Sequence, residues 1–100
     1  MRKIETIVVG LPVKNEGKSL YNSLESIRNA ILASNEKDIK LIICINGCTD
    51  ASEAIAKKFK DDFHDINCEI IHSDEGLVNA QRKIVESYKA DAHVFPDADN

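Results

Sequence analysis

Apolar positions along the chain keep two alternating rhythms. Short, mostly apolar runs at Ile4 to Val9, Leu41 to Ile45, Cys68 to Ile71 and Ala92 to Phe95 predict strands, and the second is continuous. Leu11-Pro12-Val13 closes the first of them. Between the runs the spacing changes to that of helices. A stretch opening at Lys18 or Ser19 puts Leu20, Leu24, Ile27 and Ile31 on one face, with Leu32 beside them, and fades at Ser34-Asn35. Ala54, Ile55, Phe59 and Phe63 form the apolar side of a second helix. Thr49 or Asp50 caps it, and Glu53 is placed for a capping box. Leu77, Ala80, Ile84 and Tyr88 share one face of a third helix.

The resulting order is β-α-β-α-β-α-β. Buried strands joined by helices predict a Rossmann-like α/β fold, three layers deep, with a mainly parallel sheet and right-handed crossovers. Ligands of such sheets bind beyond the carboxyl ends of the strands. Three loops fall at that end: Leu11 to Gly17, Asn46 to Asp50, and Pro96 to Asn100. They hold most of the chain's unusual residues. No linker, repeat or low-complexity segment divides the sequence, so residues 1–100 read as a single domain.

Composition narrows the function classes. Thirteen basic and seventeen acidic residues give a net charge of −4, without the basic stripe of a nucleic-acid binder. No apolar run approaches the length of a membrane span, and the start lacks the long apolar stretch of a signal peptide. Three cysteines, an odd number, fit reduced thiols in the cytoplasm. Cys44 and Cys48 lack the spacing of a zinc or redox pair. His64, His72 and His93 show no helical ligand spacing.

Candidate chemistry concentrates at the strand ends. Asp97 and Asp99 flank one alanine directly after a buried strand. Adjacent carboxylates repel unless a cation or donor sits between them, and oxygen ligands of this kind suit Mg²⁺ or Mn²⁺. Their bland reading is a solvated acidic turn. A second feature, Gly17-Lys18-Ser19, follows a strand and opens a helix, as in a phosphate-binding loop. That pattern needs a glycine where Pro12 stands, and proline offers no N–H to a phosphate.

Taken together, four segments resemble family 2 glycosyltransferases. Pro12-Val13-Lys14-Asn15-Glu16 is similar to the Pro-x-x-Asn-Glu that ends the family's first strand. Asn46-Gly47-Cys48-Thr49-Asp50 is similar to its Asp-Asn-Gly-Ser-Thr-Asp turn. Gly76 to Arg82 resembles the segment opening its third helix, and Phe95 to Asn100 resembles its Asp-x-Asp signature. The resemblance runs from Ile4 to Asn100. It implies a partial GT-A fold: the N-terminal nucleotide-binding half of a catalytic domain, ending just after the Asp-x-Asp motif.

The implied activity is transfer of a sugar from a nucleotide-diphosphate donor, a UDP- or GDP-sugar, to a sugar or lipid-linked acceptor. Mn²⁺ or Mg²⁺ is the implied cofactor. On this resemblance Pro12, Val13 and Glu16 line the base and ribose pocket, and Asn46 lies beside the base. Asp97 reaches the ribose or a metal-bound water, and Asp99 binds the metal. The catalytic base is expected beyond Asn100, so the chain alone is expected to be inactive. The implied location is cytoplasmic, with any membrane association made by other parts of the protein.

Two departures stand out. Ile45 replaces the family's aspartate before Asn46, and Gln81-Arg82 replaces its Arg-Asn pair. The competing readings are a P-loop-like nucleotide phosphatase using Lys18 and Ser19, and a non-catalytic α/β interaction domain. An open fourth-strand edge, with Val94 and Phe95 partly uncovered, predicts self-association.

Overall fold

The computed structural model describes residues 6–34, 38–47 and 50–96. Seven elements alternate along it: β1 (Thr6–Val13), α1 (Ser19–Ala33), β2 (Asp38–Asn46), α2 (Ser52–Asp62), β3 (Asn67–Ser73), α3 (Leu77–Ser87) and β4 (Ala92–Val94). The described strands form one parallel sheet in the order β3-β2-β1-β4. The first two crossovers step outward from β1 to β2 to β3. The third returns across the sheet and lays β4 on the far side of β1.

That reversal decides the layers. One face of the sheet carries Leu11, Val13, Leu41, Ile43 and Ile45, which pack with Leu20 and Leu24 of α1 and Ala56 and Phe59 of α2. The opposite face carries Val8, Ile42 and Cys44, which pack with Ala80 and Ile84 of α3. The alternation of β1 and β2 side chains therefore feeds two cores, as expected for a sheet covered on both sides. Each Leu or Ile shut fully from water contributes about 1.5–3 kcal/mol relative to exposure. Tyr21, Phe59 and Phe63 add an aromatic cluster between α1 and α2, with ring centroids 5.1 to 6.4 Å apart.

Several expectations change in detail. β1 does not close at Leu11-Pro12-Val13 but runs through it, pairing with β2 as far as Val13–Ile45. Among the described residues β4 pairs with β1 from Ile7 to Val9. The β4 side of β1 carries no ladder beyond Val9 within them, so the N–H missing at Pro12 is tolerated there. Leu32 and Leu77 point outward rather than into the core. In α2 it is Ala56, not Ala54, that is buried. The capping box does not form. Ala51 holds the cap position, Asp50 accepts the Ser52 N–H at 2.9 Å, and Glu53 pairs instead with His72 and Lys57. Thr49 and Cys48 lie outside the described residues.

Candidate functional site

A cleft of about 430 Å³ opens at the carboxyl ends of the strands. Its floor follows from the topology. β2 continues on one side of β1, while β4 ends opposite Val9, so β1 reaches beyond its neighbour and leaves a notch. Crevices of this kind, where the strand order reverses, are where open α/β sheets take ligands.

Pro12, Glu16 and Asn46 line this cleft, and so do Phe95 and Pro96 at the exit from β4. Three of the residues singled out by sequence are thus brought together. Val13 is not among the lining residues. Alternation turns its side chain to the other face, where it is fully buried in the core under α1 and α2. Asp97 and Asp99 lie outside the described residues. Among the described residues no cluster of three His, Cys, Asp or Glu side chains is placed to hold a metal ion.

Asn46 ends β2 and is only 4% exposed. Its Oδ1 accepts a hydrogen bond from Ser73 Oγ, 3.4 Å away on the paired end of β3. Gly47 follows with φ +71°, and a Cβ there would stand 3.1 Å from the Glu75 side chain. Only glycine meets both demands, a left-handed backbone and a close neighbour. Glu75 reaches across the cleft mouth to an ion pair with Lys14. Both side chains are well exposed, so this pair ties the two loops together with little net energy.

The loop from β1 to α1 is fastened elsewhere. Asn15 and Gly17 both hold positive φ, at 50° and 60°. Ser52 Oγ accepts the N–H groups of Glu16 at 2.9 Å and Gly17 at 3.1 Å. Ser19 Oγ donates to the Glu16 carbonyl at 2.9 Å. The hydroxyl and N–H of Ser52, with the Gly17 N–H, hold the Asp50 carboxyl below its ordinary range. Asn15 Oδ1 receives the Asp50 N–H at 3.3 Å. The amides that a phosphate-binding loop would turn toward its ligand are therefore already engaged by Ser52. This geometry speaks against the nucleotide phosphatase.

Sequence reasoning passed over Ser52 and Glu75 as parts of this region, and gave Lys14 and Phe95 no role beyond membership of their motifs. Ser52 reads locally as an ordinary first-turn residue, and nothing near it in sequence announces partners at Glu16 and Gly17. Phe95 is placed by a close approach to Gly10, where a Cβ would meet its ring at 3.0 Å.

The family model described as Glycosyl transferase family 2 matches residues 8–100. The chain belongs to that family. Among solved structures, its fold matches a mannosyltransferase of Pyrobaculum calidifontis, PcManGT, determined in complex with GDP-Man and Mn²⁺. The TM-score is 0.81 at 16% identity, over 93% of this chain and 27% of that one. The shared fold is thus a GT-A glycosyltransferase arrangement, and the chain spans about a quarter of that enzyme's length. No curated protein matches the sequence significantly. Within the described residues of this family 2 chain, no helix is long and apolar enough to cross a membrane.

Proposed function

We propose that this chain is the donor-binding part of a family 2 glycosyltransferase, taking a nucleotide-diphosphate sugar in the cleft for transfer to an acceptor hydroxyl. The observation that carries this reading is the cleft itself. Pro12, Glu16 and Asn46 converge at the switch point of the sheet, and β4 delivers the chain through Phe95 and Pro96 along the cleft wall. The next residues in sequence are Asp97, Ala98 and Asp99. Family membership supports sugar transfer, and the GDP-Man and Mn²⁺ held by PcManGT support a nucleotide donor with a divalent cation.

In this reading Pro12 and Glu16 flank the base and ribose. Val13 supports them from the core beneath, and Asn46 meets the base edge. Asn46 also stands in for the aspartate that Ile45 replaces. The donor set fits a divalent cation in its chemistry: two carboxylates following the cleft wall supply hard oxygen ligands. Asp97 and Asp99 would hold Mn²⁺ or Mg²⁺, which when bound offsets the negative charge of the diphosphate leaving group. The base that deprotonates the acceptor, and the acceptor itself, belong to sequence beyond Asn100. The acceptor class we propose is a sugar or a lipid-linked sugar, and the setting is cytoplasmic.

Calorimetric titration of UDP and GDP, with and without Mn²⁺, tests the proposal on the chain and on Asp99→Ala. Metal-dependent binding that disappears in the variant is the expected result. A folded chain that binds neither nucleotide, in isolation and in the longer protein alike, would leave the non-catalytic interaction domain as the better reading. Binding that is strong without metal and equal in Asp99→Ala would remove the acidic motif from the site.

A further inference from the structure

Ser52 is fully buried, one of only two buried polar residues among those described. A buried hydroxyl is retained where its hydrogen-bonding capacity is used. Here its accepting capacity is used completely. Both acceptor positions of Oγ are filled, by the N–H groups of Glu16 and Gly17.

The two amides lie 36 and 35 residues upstream, in the loop that leaves β1. That loop holds positive φ on both sides of Glu16, at Asn15 and Gly17. A side chain disfavours this conformation at Asn15, so the loop needs an external hold. α2 supplies it. Its first residue, Ser52, grips the loop from the helix terminus, and Asp50 braces that grip by accepting the Ser52 N–H at 2.9 Å. Glu16 is the loop residue that lines the cleft.

We infer that Ser52 is a positioning residue for the nucleotide site: it touches no ligand, but it fixes the backbone that presents Glu16 to the cleft. This inference rests on the donor-site reading above. Without the hydroxyl, two amides lose their acceptor together and turn toward water. Glu16 then leaves its place in the wall.

The test compares Ser52→Ala, Ser52→Thr and Ala56→Gly in the chain, with amide exchange followed by NMR and UDP and GDP titrated in the presence of Mn²⁺. Ser52→Ala should speed exchange at Glu16 and Gly17 at least about tenfold and weaken nucleotide binding roughly tenfold. Ser52→Thr keeps the acceptor and should restore both. Ala56→Gly loosens α2 at another buried position and should leave both unchanged. If Ser52→Ala does not fold, Asp50→Ala, at an exposed position, removes the brace and should raise both quantities a few-fold. Unchanged exchange at the two amides overturns the inference whatever the nucleotide does. Equal weakening by Ala56→Gly also overturns it, because the effect would then be general stability. A wild-type chain that binds no nucleotide, in isolation and in the longer protein alike, overturns the donor-site reading instead, and the exchange data still report on the latch.

Discussion

Gly10 is a sharp test of how β1 meets α3. It lies in the middle of a buried strand, and a Cβ built there stands 2.9 Å from Ile84 Cγ2, 3.0 Å from Ile84 Cδ1 and 3.0 Å from the Phe95 ring. Two effects oppose each other in Gly10→Ala. Alanine restricts the unfolded chain, which stabilises by about 0.4–1 kcal/mol. Crowding a packed core costs about 1–3 kcal/mol. Which wins depends on whether the neighbours give way. Phe95 sits at the cleft and can swing its ring edge aside. Ile84 cannot: it is fully buried, and Cγ2 is fixed on its branched Cβ, so no single torsion moves that methyl alone. The crowding term prevails, and Gly10→Ala is expected to lose about 1–2 kcal/mol. Urea unfolding followed by circular dichroism measures this as a lower midpoint at unchanged slope. In an Ile84→Ala background the same change should become neutral or stabilising, because the new methyl enters the space vacated. A single Gly10→Ala variant as stable as the parent would refute the close approach, and with it the argument that glycine seats Phe95 at the cleft.

Two further predictions concern the surface. The Tyr21 hydroxyl donates to Asp62 at 2.5 Å, and this bond, helped by partial burial and the nearby carboxylate charge, pushes its pKa up to about 12 from 10.0. A raised folded-state value means that the contribution to stability is complete below pH 10.0 and is lost as the pH climbs through about 12; alkaline titration of phenolate absorbance should show one late tyrosine that returns toward the ordinary value in Asp62→Asn, and an unshifted Tyr21 in the parent would count against the bond. Among the described residues β4 pairs only with β1, and Val94, in register with Val9, is 50% exposed. We expect concentration-dependent self-association in sedimentation, reduced by Val94→Lys, since a charged edge resists pairing; a chain that stays monomeric at high concentration contradicts this.

How far the sequence alone carries can be judged from particular residues. Strands and helices were legible because their periods differ, and the burial of Leu41 to Ile45 matches a continuous apolar run. The same periodicity cannot see across the chain. Pro12 looks like a strand terminator because local rules count its missing N–H as a loss. In the sheet that loss is spared by β4 ending at Val94, which no local signal encodes. Leu77 has the right spacing for an inward face, yet it stands in the lining of the cleft and is 60% exposed. Pro12, Glu16 and Asn46 were readable as a group because they lie at or just past the carboxyl ends of β1 and β2. Ser52 was not, because its partners are remote and its neighbours in sequence are those of any helix start.

The arrangement also explains why a chain that resembles its structural relative at 16% identity keeps the same fold. The cleft depends on few side chains. It needs the third crossover to return over the sheet, so that β4 lands beside β1 rather than beyond β3. It needs a small residue at Gly10 so that Phe95 can lie close against β1 as the chain leaves β4, and a glycine at Gly47 so that the β3–α3 loop can close over Asn46. It also needs a hold on the loop after β1, which here comes from Ser52. The two glycine demands are steric, the hold on the loop is met by hydrogen bonding, and the crossover follows from the order of apolar runs. Identity elsewhere in the helices is free to drift as long as the two cores stay filled, since hydrophobic side chains of similar volume exchange at small cost. The departure from the family pattern at Ile45 fits this logic. Ile45 is 3% exposed and packs in the core beside Leu41 and Ile43, so at that position the chain gives a core residue where the family has a polar one. Asn46, one residue on, lines the cleft, which is where the proposed donor-site reading puts the contact to the base.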